Sequence, residues 1–351
     1  MKYILSTAVL AATLWHSSAE ASDYPIVLVH GFQPAQLASR PNQTEVEQDG
    51  ANYWQEFWLP KASARIDWPS HERITGRIIS DYAWPVLQQL SQQGTCHSGC
   101  IFVTHSTGDL VTRYILDHQA LWLQNAGLQP LNIVATLDFA GAGGGSELAD
   151  LAINVANGGS WIDATLRYAI SLWLGEIPSP GNLGVLNDLR VNSARQLAAF
   201  PDARIPRIRM VAASNDYFGT TGLFLPGTDD GVVASHSSCG AANVAAFNSC
   251  ASQLGFDGKL AAQSQPVTSF MPYHYPMLMS DNYSHNGILT DRQRGQVTLA
   301  NASVNFTDQT GYGFDSDDIS SGWWLFRSTY RVVRGSDQFS LSELVYQELL
   351  D

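Results

Sequence analysis

Apolar runs and helical spacings alternate along this chain. Ile26–Val29, Ile74–Ile79, Ile101–Thr104, Ile133–Leu137 and Ile208–Ala213 are short apolar runs bounded by polar or turn residues, and each predicts a buried strand. Between them, Tyr53–Trp58, Trp84–Gln93 and Leu110–Gln119 carry the spacing of helices. Strands that alternate with helices predict an α/β chain, with a mostly parallel central sheet flanked by helices on both faces. The stretch from Ser146 to Phe200 is rich in Ala, Leu, Ile and Trp at helical spacing and follows the glycine run Gly141–Gly145. No lysine follows those glycines, so they read as a hinge and not as a phosphate loop.

Two junctions in this pattern carry chemistry. The third run ends in Thr104-His105-Ser106-Thr107-Gly108-Asp109 and passes at once into a helix. A strand, a sharp turn and a helix put the Ser106 hydroxyl at the apex and aim the first helical N–H groups at the same point. The first run ends in Val29-His30-Gly31-Phe32, a strand passing at a glycine into a loop. On these two motifs the sequence resembles the α/β-hydrolase superfamily, and within it the secreted bacterial triacylglycerol lipases and esterases. The resemblance covers about residues 24–290. It implies the α/β-hydrolase fold, with a helical lid or cap inserted at about 142–200. The lid would face Trp161, Leu166, Leu172, Trp173 and Leu174 toward the site and touch a lipid interface; ordinary helical packing is the alternative. Ser106 would be the nucleophile, and the backbone N–H groups of Phe32 and Thr107 would hold the oxyanion. Thr104 and Asp109 depart from the small residues usual at those places.

The superfamily order is serine, acid, histidine. Among the later histidines, His285 in Asp281-Asn-Tyr-Ser-His-Asn-Gly287 is the expected base, with His274 next; His236 follows the expected acid too closely. The expected acid is Asp230, directly before the glycine of Asp229-Asp230-Gly231-Val232-Val233, with Asp216 and Asp229 as alternatives. His30 and His105 would brace the oxyanion loop and the turn. No cofactor is required. The lipases often hold a structural calcium through an aspartate two residues beyond the histidine, but Gly287 stands there. Asp315-Ser-Asp-Asp318 reads as a solvated acidic loop and only secondarily as a calcium site.

The remaining features set the context. Lys2, the apolar core Tyr3–Trp15 and Ala19-Glu-Ala21 read as a cleavable signal peptide ending near Ala21/Ser22, which implies a secreted or periplasmic protein. The four cysteines then suggest two disulfides, with the local pairs Cys96–Cys100 and Cys239–Cys250 expected; their spacing argues against zinc. A net charge of −13 makes nucleic acid an unsuitable partner. The hydrolase region would occupy residues 22–300 and a C-terminal extension 301–351. There, Trp323-Trp324 reads as core, with lipid or carbohydrate contact as the alternative. The expected function is a secreted serine carboxylic-ester hydrolase, preferentially a lipase. A short-chain esterase, phospholipase, polyester hydrolase or acyltransferase would use the same residues, and a non-catalytic lipid- or glycan-binding protein is the rival of another class. Nothing in the sequence fixes the oligomeric state.

Overall fold

A seven-stranded sheet in the order β2-β1-β3-β4-β5-β6-β7 forms the centre of the molecule. The computed structural model describes residues 24–158, 164–197, 204–323 and 327–350. The signal-peptide segment, Trp161, Trp324 and Phe326 lie outside the described residues. Strands β1 (Ile26–Val29), β2 (Ala64–Ile66), β3 (Cys100–His105), β4 (Ile133–Phe139), β5 (Arg207–Ala212) and β6 (His274–Ser280) pair in parallel, and β7 (Thr298–Leu299) closes the edge antiparallel to β6. Every residue of β1, β3, β4 and β5 is buried, as a sheet covered on both faces requires.

Alternation along the strands separates two cores. Val27, Val29 and Phe102 join the cluster that contains Leu110, Val111 and Ile115 of α4 (Gly108–Asn125). Leu28, Val103, Leu137 and Met210 face the other way, onto Phe306, Tyr312 and the α10 (Leu341–Leu350) residues Leu341 and Val345. Residues beyond 300 therefore supply cover for one face of the sheet. They also form the hairpins β8 (Ser303–Asn305) with β9 (Gly311–Gly313) and β10 (Ser316–Ser321) with β11 (Ser328–Val333). Trp323 is not core: it is 87% exposed at the turn of the second hairpin.

Several elements differ from the sequence expectation. Ile74–Ile79 is not a strand but the start of a kinked helix with wide, π-type turns, Ile74–Ala83, that runs into α3 (Trp84–Gln93). Its buried residues, Ile74, Ile78, Ile79, Tyr82 and Ala83, lie on a helical stripe, and the isoleucines alone made the segment look extended. Ser106 still follows the third strand, because the short β2 takes the place expected of Ile74–Ile79. The helix expected over Tyr53–Trp58 is instead the end of α2 (Gln43–Trp54) and the turn after it. Its start is fixed by a capping box: the Asn42 side chain accepts from the Glu45 N–H, and the Glu45 carboxylate accepts from the Asn42 N–H.

After β4 the chain forms α5 (Glu147–Ala156), α6 (Ala164–Leu174), α7 (Leu186–Leu189) and α8 (Val191–Gln196) before entering β5. Leu166 and Leu174 of α6 join the core, and Leu172 is half-buried. Both disulfides are present as expected: Cys96–Cys100 staples the chain entering β3, and Cys239–Cys250 closes a loop after α9 (Ser235–Ser238). Among the described residues, no helix is long and apolar enough to cross a membrane.

Candidate active site

The turn between β3 and α4 places Ser106 in a left-handed conformation, φ 53°. A non-glycine residue rarely adopts it, and here three backbone bonds hold it. The Ser106 N–H donates to the Phe139 carbonyl at 3.1 Å, and its own carbonyl accepts from Asp109 and Ala142 at 3.2 and 3.0 Å. Gly108 is obligatory for the approach of α4 to β1: a Cβ there would lie 2.2 Å from the Val29 carbonyl oxygen. Gly31 is just as crowded, since its Cβ would come within 2.8 Å of Ser106 Cβ. The Gly31–Phe32 loop thus lies against the serine, and Thr107 stands at the N-terminal position of α4 beside it.

His285 and Asp230 meet this serine from distant parts of the chain. Ser106 Oγ is 2.9 Å from His285 Nε2, and His285 Nδ1 is 2.8 Å from Asp230 Oδ2. All three side chains are buried. The other Asp230 oxygen accepts from the Val232 and Val233 N–H groups at 3.0 and 2.7 Å, so the carboxylate is fixed from both sides. The His285 N–H donates to the Asp230 carbonyl at 3.1 Å. A hydroxyl, an imidazole and a buried carboxylate in this order can transfer the serine proton to nitrogen as oxygen attacks a carbonyl.

The alternative residues sit elsewhere. Asp216 accepts from both the backbone and side-chain N–H groups of Asn286 at 3.0 Å, holding the residue after His285. Asp229 accepts from Gly231 at 2.8 Å, and burial pushes its carboxyl up to about 6. His274 is buried at the start of β6, where Nδ1 donates to the Pro272 carbonyl. His236 is buried between Glu147 and Arg195, bonded to each, at 2.7 and 3.0 Å. His30 stacks on Trp68 and donates from Nδ1 to the Gly31 carbonyl, while Nε2 accepts from the Trp68 N–H. It braces the loop that precedes Phe32.

Tyr53 and His105 were not paired by any sequence signal. His105 Nε2 faces the His285 carbonyl at 2.8 Å, and a carbonyl can only accept, so Nε2 carries the proton. Nδ1 is then an acceptor and takes the Tyr53 hydroxyl proton. Burial holds the His105 ring well below the usual histidine range, in its neutral form. A bonded chain therefore runs from Tyr53 through His105 to the backbone of His285.

The two departures from the lipase motif account for one another. Thr104 donates to Asp138 Oδ1 at 2.7 Å, and Thr136 donates to Oδ2 at 3.0 Å. Arg209, fully buried on β5, donates to Asp109 at 2.9 Å and to the Gly141 carbonyl at 2.8 Å, and lies 3.6 Å from Asp138. Asp109 and Thr104 thus belong to one buried network beneath the turn. The sequence marked Thr104 and Asp109 only as departures from the motif.

In front of Ser106 and His285 lies a cavity of about 60 Å³, lined by Phe32, Pro34, Tyr53, Trp173, Leu189, Tyr217, Val232 and Asn286. A larger cavity of about 590 Å³ lies between β11 and Arg294–Gln296 and reaches none of Ser106, Asp230 or His285. Among the described residues, no three His, Cys, Asp or Glu side chains are grouped to hold a metal ion. The acidic cluster is paired: Asp315 and Asp317 with Arg334, and Asp318 with Arg331, at 2.8–2.9 Å.

A parallel sheet with a strained serine turn after its third strand defines the α/β-hydrolase architecture. No protein-family model matches the sequence, and no curated protein matches it. Among solved structures, the chain is similar to the mature lipase BlEst2 of Bacillus licheniformis, at 15% identity and TM-score 0.45, over 80% of this chain and 91% of that one. It is similar to Staphylococcus hyicus lipase at 14% identity and TM-score 0.40, over 80% and 91%. A third similar structure is EstA from Clostridium botulinum, at 12% identity and TM-score 0.40, over 77% and 84%.

Proposed function

We propose that this protein hydrolyses carboxylic esters through an acyl-enzyme. The observation that carries the reading is the hydrogen-bonded series Ser106, His285, Asp230 at a strained turn. Ser106 Oγ bonds to the ester carbonyl carbon while His285 Nε2 takes its proton. The tetrahedral intermediate collapses, the C–O bond to the alcohol breaks, and His285 returns the proton to the departing oxygen. Water, deprotonated by His285, then attacks the acyl carbon; the bond to Ser106 Oγ breaks, His285 returns the proton to Oγ, and the acid leaves. Asp230 orients the ring and stabilises its charged form. The Phe32 and Thr107 N–H groups face the developing oxyanion; loss of one such donor typically costs about 10²–10³-fold in rate. No step calls on a cofactor.

A fluorophosphonate tests the chemistry without a choice of substrate. Serine displaces fluoride and becomes a phosphonyl ester, so the label is expected on the peptide containing Ser106 and absent from the Ser106→Ala variant. A folded wild-type protein that takes no label at Ser106, with or without detergent micelles, rules the reading out.

Tyr53 and His105 would then act as positioning residues. Tyr53→Phe removes the donor to His105 and frees the ring that holds the His285 backbone. We expect kcat to fall roughly tenfold, the scale of one lost buried hydrogen bond, with KM changed less than twofold. Steady-state kinetics beside thermal melts would read this, and an unchanged kcat would discard the role.

Triacylglycerols are the substrates the sequence resemblance favours, with the apolar residues of 146–200 as their contact surface. The small cavity at Ser106 favours a short-chain ester instead. The two disulfides suit an oxidising compartment, and with the N-terminal sequence they support an exported protein.

A further inference from the structure

We infer that the site takes short acyl groups, of two to four carbons, and that Trp173 sets this limit. The inference rests on the ester-hydrolase reading and names its substrate class. The cavity at Ser106 measures about 60 Å³. Pockets for drug-sized ligands span about 300–1,000 Å³. At about 10–15 Å³ for each water-sized group, the space holds roughly four to six non-hydrogen atoms. An acetyl to butyryl group fills this space; an octanoyl chain would have to extend beyond it.

The walls of this cavity are held in different ways. Leu189 belongs to α7, which is tied to the body of the protein by a buried carboxylate. Asp188 receives Arg73 Nη2 at 2.6 Å, Arg73 Nε at 2.9 Å and the Ile74 N–H at 2.9 Å. The Leu189 carbonyl accepts from Ser146 at 2.9 Å, and the Val185 N–H donates to the Ser70 carbonyl at 3.0 Å. Val232 is fixed twice: its N–H donates to Asp230, and its carbonyl accepts from the Ser146 hydroxyl at 2.5 Å. The Tyr217 N–H donates to the Asn215 side chain at 2.7 Å.

Trp173 closes one side from α6, and Phe32, Pro34, Tyr53 and Asn286 complete the wall. Trp173 is buried, and its ring packs on Phe32 with centroids 5.7 Å apart. Phe32 is also the residue whose amide faces the oxyanion in the proposed mechanism. The indole therefore walls the cavity beside the loop that carries Phe32. Leu189, Val232 and Tyr217 are held by hydrogen bonds of their own, so trimming Trp173 enlarges the cavity without releasing them.

The test compares kcat/KM of the purified full chain on p-nitrophenyl acetate, butyrate, octanoate and palmitate, with and without detergent micelles. For the wild type we expect a maximum at acetate or butyrate and at least a tenfold lower value on octanoate. In Trp173→Ala the octanoate-to-butyrate ratio should rise at least tenfold, with Trp173→Leu between the two; thermal melts identify any variant that does not fold. A wild-type optimum at octanoate or longer overturns the inference, as does one that appears only on micelles through displacement of α6. An unchanged ratio in both folded variants overturns the role of Trp173. Fluorophosphonate labelling separates the levels: no label on wild-type Ser106 removes the ester-hydrolase reading itself. Label on Ser106 together with a long-chain optimum removes only the acyl-length limit.

Discussion

Replacing Ser106 by alanine is expected to lower kcat for ester hydrolysis by at least about 10⁴-fold, leaving the melting temperature within a few degrees. The size follows from what the hydroxyl does: without it no acyl-enzyme forms, and only binding and oxyanion stabilisation remain. Asp230→Asn should be nearly as damaging, about 10⁴-fold, by a different route. Asp230 accepts a hydrogen bond from His285 Nδ1–H through one oxygen and from two backbone amides through the other. An amide NH₂ facing Nδ1 favours the tautomer with its proton on Nε2, which cannot accept from Ser106. Asp216→Asn is the control, because Asp216 holds Asn286 and makes no bond to the imidazole; its effect should stay within about tenfold. Steady-state kinetics on one soluble ester decides the matter. An Asp216→Asn loss equal to that of Asp230→Asn would assign the acid wrongly.

The second large effect concerns stability. Arg209→Leu is expected to cost about 3–5 kcal/mol, because it takes from Asp109 and Asp138 the guanidinium paired with them beneath the serine turn and leaves only the charges of Arg113 and Arg207. Denaturant melts would read it, and a cost below about 1 kcal/mol would show that the network holds little. Restoring the motif glycine with Thr104→Gly should also destabilise, since it deletes the hydroxyl that Asp138 accepts from. The network has a pH signature. Burial, with the charge of Asp109 adding to it, pushes the Asp138 carboxyl from 3.8 up to about 6. The folded chain thus holds this proton more tightly than the unfolded chain. The stability it contributes is complete below about pH 4 and is lost as the pH rises to about 6. Asp138→Asn should flatten that fall.

Legibility in the sequence followed how local each cause is. The β1 and β3 runs, the turns that end them and α3 were readable because they depend on neighbours within a few residues. The Asn42–Glu45 capping box was equally local and marks the true start of α2; the aromatic cluster Tyr53–Trp58 drew attention to its end instead. Ile74–Ile79 failed because six residues rich in isoleucine fit both periods, and only the longer stripe to Ala83 distinguishes them. Trp323 failed because a large aromatic residue reads as core until its position at an exposed hairpin turn is known.

By itself the sequence determined an α/β layout, a serine at a strand-to-helix turn, a short list of histidines and aspartates, and four cysteines of which the local pairs were favoured; the structure forms those pairs, over 4 and 11 residues. These follow from periodicity, turn chemistry and short spans. Only the tertiary structure decided which aspartate meets which histidine, since Asp230 and His285 are 55 residues apart and meet through the ends of different loops. It alone showed that Thr104 and Asp109 serve one buried arginine 100 residues beyond Asp109. It alone placed Trp173 on Phe32 and gave the cavity its size, because a cavity is the space left when distant side chains pack.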